Sequence, residues 1–470
     1  MAYPRFSDID ALGRDIALYA QLKHEYGAGG IAPVLKKAEA ALRAAKEELK
    51  RLPVDRGMAA REPSDLAGIR RLRPAGPRRM WTAVDERAYS TRLEGALLGR
   101  IAGNILGAPV EGWAVARMEA LAREKGIAFP PTDYWPSVPE PESLRYATSP
   151  NRAYTRAGLD GVPVDDDLAY TLLGLLILEE HGPGFTVADV GASWLKYLPM
   201  ACTAEEIALA NLKAGRPASA AAERDNPYCE WIGADIRADP WGYAAPGWPE
   251  RAAELAWRDA YVSHRRQGIY GEMYFAAAIA AAFAVDDPVE ALRAGLSEIP
   301  ASCALARAVR WALRVAPGIR TYRDAREAMD ARFPGMHPVH TINNACLTIW
   351  GVTIGGTDIT RVIGETVAMG MDNDCTAATA GSIVGAVVGK KGIPARWYRG
   401  FNDTVHSYLI GRPKFSISAV LRRFEKQARL VHARPGAGAP PAPVGASGRG
   451  SPGAPKGRIP KGSTRRSTTR

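Results

Sequence analysis

Residues 95–107, GALLGRIAGNILG, and residues 381–389, GSIVGAVVG, each carry a glycine at every fourth position. Residues four apart lie on one face of an α-helix, and glycine weakens a helix by about 1 kcal/mol relative to alanine. A helix that keeps such a stripe usually has another backbone very close to that face. We therefore expect two helices at the crowded centre of the fold, packed on each other.

The sequence between about residues 85 and 430 has helical patterns throughout. Apolar runs such as LAYTLLGLLILEE (168–180) and EMYFAAAIAAAFAV (272–285) are longer than ordinary strands and are rich in Leu and Ala. Regular strand–turn–strand spacing is missing from this region. The sequence therefore predicts an all-α fold, a compact multi-helix bundle.

Two segments flank this body. Residues 34–52 place leucine and alanine at alternating three- and four-residue steps, which predicts an amphipathic helix. Its apolar stripe could dock on the body or pair with another chain, and docking is favoured because a sustained coiled coil needs more heptads. Residues 53–77, rich in Arg, Pro and Gly, indicate a connection. Beyond the body, Pro, Gly, Ala and Ser dominate, and this composition cannot repay the entropy of ordering. The predicted domains are an N-terminal extension (1–84), a catalytic body (85–432) and a disordered tail (433–470).

The charge is unevenly distributed. The formal net charge is +11, but eight Lys and Arg and no Asp or Glu lie from residue 434 onward, which leaves +3 for the rest of the chain. A body this close to neutral does not indicate a specific nucleic-acid partner. The basic tail is most simply a solubilising extension.

The chain has no sequence feature of a secreted or membrane protein. Its five cysteines are odd in number, widely spaced and without a CxxC pair, so neither a disulfide framework nor a zinc site is indicated. No stretch reaches the roughly 18 apolar residues of a membrane span. The N-terminal residues MAYPRFSDIDALGRD include acidic positions where a secretory signal would have an apolar run. We expect a soluble, cytoplasmic protein with no membrane partner.

Acidic patches coincide with the ends of predicted helices in three places: Glu111 in GAPVEGW, Asp165–Asp167 in VPVDDDLAYTLL, and Asp372 with Asp374 in GMDNDCTAA. One Asp is explained as a helix N-cap, but three in a row exceed that need and repel one another. Asp372 and Asp374 cannot share a helix face, so they can converge only from the turn before the helix. With no nearby His or Cys pair, such an oxygen-rich set suits Mg²⁺, Mn²⁺ or Ca²⁺ and disfavours zinc.

Four segments in order resemble the ADP-ribosylglycohydrolase family, which includes the dinitrogenase reductase-activating glycohydrolase. They are GALLGRIAGNILGAPVEGW, DDDLAYTLLGLLILEEHG, HTINNACL and GMDNDCTAATAGSIVGAVVGKKGIPARW, and the resemblance spans most of residues 90–405. It implies an all-helical bundle with two Mg²⁺ ions, or Mn²⁺ in their place. The implied activity is hydrolysis of the bond between ADP-ribose and its acceptor.

The resemblance also implies site residues. The family's T-D-D and D-x-D-T motifs supply the metal ligands, which here are Asp165, Asp166, Asp167, Asp372, Asp374 and Cys375. The implied catalytic residues are Asp166, Asp167 and the glutamate after G-x-P, Glu111, which is either the general base or a contact to the ribose diol.

Several positions depart from the family pattern. Asp165 and Cys375 stand where T-D-D begins and D-x-D-T ends with threonine, and the family's G-D-A is Gly103–Asn104–Ile105 here. A thiol is a weaker ligand than a hydroxyl for Mg²⁺, which favours Mn²⁺. The N-G-x-x-M-R-like segment is most nearly WIGADIRADPWG, with isoleucine in place of asparagine. The metal centre is thus largely kept while the substrate side is altered.

Three further residues are candidates for substrate contacts. Arg237 could pair with a diphosphate, although a structural ion pair explains it equally well. His264 and Tyr270 lie in SHRRQGIYGEMYF between two predicted helices. A lone histidine is more often structural than catalytic.

The sequence leaves three functions open. The leading hypothesis is a metal-dependent hydrolase of ADP-ribosyl conjugates with a protein or small-molecule acceptor. The altered substrate-side motifs favour as an alternative a hydrolase of a smaller N-ribosyl compound or nucleoside. The third is a crystallin-like binding or structural protein that keeps the fold without turnover.

Overall fold

The computed structural model describes residue 3 and residues 8–433. Most regular structure in this part of the chain is α-helical, joined by short 3₁₀ turns. The helices are α1 (Ile9–Glu25), α2 (Ile31–Arg51), α3 (Arg56–Arg61), α4 (Leu66–Leu72), α5 (Glu86–Gly107), α6 (Val115–Glu124), α7 (Asp166–His181), α8 (Val187–Tyr197), α9 (Thr203–Lys213), α10 (Asp239–Ala244), α11 (Pro249–Ala260), α12 (Gln267–Ala282), α13 (Pro288–Gly295), α14 (Ala304–Val315), α15 (Tyr322–Arg332), α16 (Thr341–Gly355), α17 (Ile359–Ala368), α18 (Asn373–Val388) and α19 (Ile417–Ala433).

Extended structure among the described residues is limited to two small antiparallel hairpins. Strand β1 (Leu144–Arg145) pairs with β2 (Ser149–Pro150), and β3 (Thr404–His406) pairs with β4 (Lys414–Ser416). No helix within residues 8–433 is long and apolar enough to span a membrane. The predicted all-α fold is confirmed.

The glycine stripes of α5 and α18 face each other, as the sequence predicts. A Cβ on Gly99 would lie 2.2 Å from the carbonyl oxygen of Gly381, and one on Gly381 would lie 2.2 Å from that of Gly99. A Cβ on Gly103 would lie 2.2 Å from the carbonyl oxygen of Ala377. Such distances are far inside van der Waals contact, so only glycine allows the two backbones to approach this closely.

This seam brings Glu111 and the aspartates that begin α18 to the same end of the bundle. Gly107, the last residue of α5, packs on the backbone of Asp374, whose Cα would be 2.4 Å from an added Cβ. A 3₁₀ turn, Ala108–Val110, follows and leads directly into Glu111. The close packing of α5 on α18 therefore places Glu111 near the N-terminus of α18.

Helix α12 lies in the centre of the body and packs on α11, α13 and α18. All of its residues are buried, which explains the apolar run from Met273 to Ala282 in this segment. Its many alanines let neighbouring helices come close on every side. The long apolar runs of the sequence are thus buried helices, as expected from their length.

The N-terminal helices differ from the expectation. The apolar stripe of α2 does not dock on the body: Leu35 is 38% exposed, Leu42 47% and Leu49 67%. The contact of α2 with the body includes Lys46 and Lys50, which pair with Asp225 at 3.1 and 3.0 Å. The prediction that hydrophobic burial docks this helix is wrong, because surface ion pairs, and not the leucine stripe, face the body.

The segment predicted as a plain connection is more ordered than expected. It contains α3 and α4, and α4 buries Gly68 and Ile69. After α4, Arg73 and Arg78 donate to the two carboxylate oxygens of the buried Glu298, at 2.6 and 2.7 Å. The predicted tail, from residue 434 onward, lies outside the described part of the chain, and the domain boundaries stay predictions.

Candidate metal centre

The first acidic segment begins in a strained turn ahead of α18. Gly370 and Met371 have φ values of 71° and 62°, a conformation that residues other than glycine rarely adopt. The amide of Gly112 donates to the carbonyl of Met371 at 2.9 Å, which joins this turn to the segment after α5. Asp372 ends the turn and Asp374 lies in the first turn of α18. The two carboxylates converge from this irregular turn, as the sequence requires.

The second acidic segment begins α7. Asp165 is its N-cap residue and accepts from the amide of Asp167 at 3.2 Å and from Asn104 Nδ2 at 2.8 Å. The next residue, Asp166, accepts from the hydroxyl of Tyr146 at 2.6 Å. The Asp167 amide is thus shared between Asp165 and Asp166 Oδ1, which it meets at 3.0 Å, and one backbone donor does not account for three carboxylates.

Asp167 is buried behind these groups. Its Oδ1 lies 3.1 Å from Arg100 Nη2, and its Oδ2 accepts from the Cys375 thiol at 3.2 Å. Arg100 is itself buried and also pairs with Asp239 at 2.6 Å. Asp167 thus links α5, α7 and α18, and its position favours a structural or ligand role over direct substrate contact.

Arg145, on strand β1, lies between the two acidic segments. Its Nη2 is 3.1 Å from Asp165 Oδ2 and 3.1 Å from Asp374 Oδ2. Its Nη1 donates to Glu111 Oε2 at 2.8 Å and to the carbonyl of Ala108 at 2.7 Å. With a side chain only 16% exposed, Arg145 is the cation that offsets these buried carboxylates.

These groups surround one cavity of about 360 Å³. Its lining combines acidic residues, one arginine, two tyrosines and a mainly apolar wall: Glu111, Arg145, Tyr146, Asp166, Tyr170, Cys202, Thr203, Glu205, Ile232, Gly233, Ile236, Val339, Asp372, Asp374 and Cys375. The structure therefore brings five of the sequence-predicted site residues to the lining, with Asp165 and Asp167 directly behind it.

The donor set suits a hard divalent cation. Three groups of side chains each bring ligand atoms within 4.8 Å of one another: Glu111, Asp372 and Asp374; Asp165, Asp166 and Asp167; and Asp167, Asp374 and Cys375. The Oδ1 atom of Asp372 is buried without a hydrogen-bond partner. An unsatisfied carboxylate oxygen is costly, and a cation would relieve that cost. The residues fit a metal ion, and their assignment as ligands stays a prediction.

Burial and neighbouring carboxylates raise the pKa values of several carboxyls in this centre. Burial, and then the nearby Glu111, raise the pKa of Asp372 to about 6. Burial raises the pKa of Asp167 to about 8 against the opposing effect of Arg100. The pKa of Asp374 is raised well above its usual range by burial and by Glu111. Because cations bind carboxylates, metal loading of this centre would release protons.

Two departures from the family motifs lie in direct contact. Asn104 occupies the aspartate position of G-D-A and Asp165 the threonine position of T-D-D, and the Asn104 amide donates to the Asp165 carboxylate. The carboxylate missing from one position thus stands at its neighbour, so the acidity of the centre is kept. The third departure, Cys375, lines the cavity and donates its thiol proton to Asp167.

The three predicted substrate contacts lie outside the cavity lining. Arg237 is buried among carboxylates, 2.6 Å from Asp259, 2.7 Å from Glu205 and 3.4 Å from Glu272, so no N–H group is left for a diphosphate.

The other two predicted contacts, His264 and Tyr270, are also buried in the core. His264 is fully buried with its Nδ1 2.8 Å from Ser263 Oγ, and burial lowers its pKa well below the usual range. The hydroxyl of Tyr270 donates to the carbonyl of Pro63. The positions of Arg237, His264 and Tyr270 favour the structural alternative for each of them.

Sequence reasoning missed the residues that close the cavity, above all Arg145, Tyr146 and Tyr170. Arg145 and Tyr146 belong to LRYATSP, a short stretch without periodicity. Tyr170 is one apolar position within a buried helix. Nothing in the sequence distinguishes these residues from ordinary loop and core positions, since only the folded hairpin brings the arginine to the carboxylates.

Similarity to known proteins is found in one family model and among solved structures. No curated protein matches the chain. Among solved structures, one described as an ADP-ribosylglycohydrolase-related protein complex is 21% identical, covers 74% of this chain and 99% of its own, and has a TM-score of 0.49. The family model for ADP-ribosylglycohydrolase matches residues 85–435, well over half of the sequence. The chain therefore belongs to the ADP-ribosylglycohydrolase family.

Proposed function

We propose that residues 85–432 form a metal-dependent hydrolase that cleaves the ribosidic bond of ADP-ribosyl conjugates. The observation that carries this proposal is the convergence of Glu111, Asp166, Asp372 and Asp374 on one cavity. The unpartnered Asp372 Oδ1 in that lining supports a cation there. Family membership supports glycohydrolase chemistry in general.

The reaction adds water across the bond between ribose C1 and the acceptor nitrogen or oxygen. That bond breaks, the acceptor leaves with a proton, and the hydroxyl of water becomes attached to C1. Such cleavage passes through an oxocarbenium-like transition state, which nearby negative charge stabilises. A divalent ion held by Glu111, Asp372 and Asp374 would supply Lewis acidity toward water and ribose hydroxyls.

The remaining catalytic roles are assigned to side chains that line the cavity. Asp166 lines the cavity, and burial together with the charges of Asp165 and Asp167 raises its pKa well above the usual range. It can therefore hold a proton near neutral pH and donate it to the leaving acceptor. Tyr146 fixes the Asp166 carboxyl through its hydroxyl. Glu111, at the cavity mouth with 42% of its side chain exposed, can accept a proton from water or hold the ribose diol.

A substrate panel tests this proposal. The panel contains ADP-ribosylated arginine, ADP-ribosylated serine, other ADP-ribosyl nucleotide conjugates and free nucleosides, each with and without Mg²⁺ or Mn²⁺. We expect metal-dependent release of ADP-ribose, at least 100-fold slower in Asp374→Asn. The matched control is Asp330→Asn, because this exposed carboxylate pairs with Arg326 on its own helix and its loss should leave turnover unchanged. Equal turnover in the presence of a chelator would contradict the metal dependence.

A smaller ribosyl substrate, such as a nucleoside, is the second candidate, favoured by a specific feature of the lining. Arg145 is the one Lys or Arg among the lining residues that the structure describes, and it is committed to three carboxylates. A diphosphate normally needs free cationic or amide donors. The cavity volume of about 360 Å³ also lies near the lower end for ligand sites.

The same panel separates the candidates. Metal-dependent cleavage of nucleosides without release of ADP-ribose would favour the smaller substrate and contradict the leading proposal. Binding of ADP-ribose or a nucleoside without turnover under any metal condition would instead indicate a non-catalytic member of the fold. Isothermal titration with each compound provides that binding measurement.

A further inference from the structure

The position of Arg145 bears on how many cations the centre can hold. Its Nη2 lies 3.1 Å from a carboxylate oxygen of each acidic segment, Asp165 Oδ2 and Asp374 Oδ2. A metal ion that bridged these two oxygens from the side of Arg145 would overlap this nitrogen. The guanidinium and such an ion therefore exclude each other, by volume and by like charge.

The contacts of Arg145 show a built position and not a chance surface pairing. The hairpin pairs Arg145 with Ser149 in register and so fixes the backbone from which the side chain enters. Donation to the carbonyl of Ala108 and to Glu111 aligns one edge of the guanidinium with the end of α5. Its Nε atom is buried and makes no hydrogen bond, so the two terminal nitrogens carry the interaction.

The oxygens that remain suit one ion. In the segment before α7, Asp165 Oδ1 is taken by Asn104 and by a backbone amide, and Asp166 Oδ1 by Tyr146. Asp167 is held by Arg100 and Cys375. In the group formed by Glu111, Asp372 and Asp374, Asp374 Oδ1 accepts from the Cys375 amide at 3.0 Å and Asp374 Oδ2 from Arg145. Asp372 Oδ1, however, is buried without a hydrogen-bond partner, and this oxygen marks the group as the place for an ion.

We infer that Arg145 takes the place of one cation, so that the centre holds a single divalent ion, at Glu111, Asp372 and Asp374, while Arg145 stays in position. This inference rests on the metal centre of the proposed function and adds its stoichiometry. Arg145 is a positioning residue here. It supplies a fixed positive charge between the acidic segments, whereas a second metal ion could exchange with ions in solution.

The test counts bound ions in the full chain. Mn²⁺ is titrated into metal-free protein, with free Mn²⁺ followed by its electron paramagnetic resonance signal and heats followed by calorimetry. We expect one Mn²⁺ per chain in the wild type and a gain of one ion in Arg145→Met, which keeps the side-chain length and removes the charge. The matched control is Arg152→Met: Arg152 is 56% exposed, pairs with Glu142 and lies just after the same hairpin, so its loss should leave the count at one.

The possible results of this titration distinguish the one-ion inference from the proposed metal centre. Two Mn²⁺ per wild-type chain, with the exchange-coupled spectrum of adjacent ions, would overturn the inference and leave the metal centre standing. The same count in Arg145→Met as in the wild type would also overturn it. Absence of binding in both proteins would overturn the metal centre, and the inference with it. If Arg145→Met fails to fold, the wild-type count and spectrum still decide.

Discussion

The seam between α5 and α18 gives the sharpest prediction about stability, through the change Gly99→Ala. A Cβ at this position would lie 2.2 Å from the carbonyl oxygen of Gly381 and 2.9 Å from its carbonyl carbon. An ordinary carbon–oxygen contact is about 3.3 Å or longer. The two helices would therefore have to separate by about 1 Å, and both contacting atoms belong to rigid backbone that has no other rotamer to adopt.

The expected cost follows from the length of the seam. Separation at Gly99 also opens the contacts at Gly95 and Gly103, because both lie on the same helix face. A gap of about 0.5–1 Å forfeits a quarter to a half of the dispersion energy of each contact. Overpacking in cores costs about 1–3 kcal/mol or more, and alanine returns about 1 kcal/mol through its higher helix propensity. Because both contacting atoms are rigid backbone, the upper end of that range applies, and about 3 less about 1 leaves an expected loss of about 2 kcal/mol in the free energy of unfolding.

Urea unfolding followed by circular dichroism measures this effect. The control is Ser90→Ala, on an exposed position of the same helix, for which we expect a change of no more than about 0.5 kcal/mol. If Gly99→Ala were as stable as the wild type or more stable, the glycine stripe would reflect something other than backbone approach.

Gly107→Ala should weaken Mn²⁺ binding at least 10-fold in a calorimetric titration, because its Cβ would lie 2.4 Å from the Cα of Asp374. An unchanged affinity would contradict the link between the packing of α5 on α18 and the metal centre. Burial lowers the pKa of His340 to about 4, because the buried ring is neutral in the folded protein. The unfolded chain therefore takes up a proton at higher pH than the folded one, and up to about 3 kcal/mol of the free energy of unfolding is lost as the pH falls from 6.5 to 4. His340 is the N-cap residue of α16, where its Nδ1 accepts from the Ile342 amide at 3.2 Å. His340→Asn keeps an acceptor there and should flatten that part of the pH profile of urea unfolding, whereas a profile parallel to that of the wild type would refute the attribution of this pH dependence to His340. The one-ion inference leaves Cys375 outside the ligand set, so Cys375→Thr should leave the affinity for Mg²⁺ unchanged in a calorimetric titration, whereas a raised affinity would make this position a ligand.

Much of the candidate site could be predicted because its signals are local. Three consecutive aspartates at Asp165–Asp167 exceed what a helix cap needs, and the D-x-D spacing of Asp372 and Asp374 requires an irregular turn. Both signals can be recognised in the sequence without knowledge of the fold. The predicted substrate contacts lacked such a signal, since Arg237 has the same sequence appearance whether it meets a diphosphate or three buried carboxylates.

The sequence by itself determined the all-α class, the pairing of the glycine-striped helices and the acidic segments at their ends, because helical periodicity and side-chain size are properties of neighbouring residues. Tertiary structure alone decided what faces those carboxylates. Arg145 lies 20 residues before Asp165 and 229 before Asp374, and only the hairpin places its guanidinium between them. It also decided that the leucine stripe of α2 stays exposed, because an amphipathic pattern specifies a face to bury but not the surface that covers it.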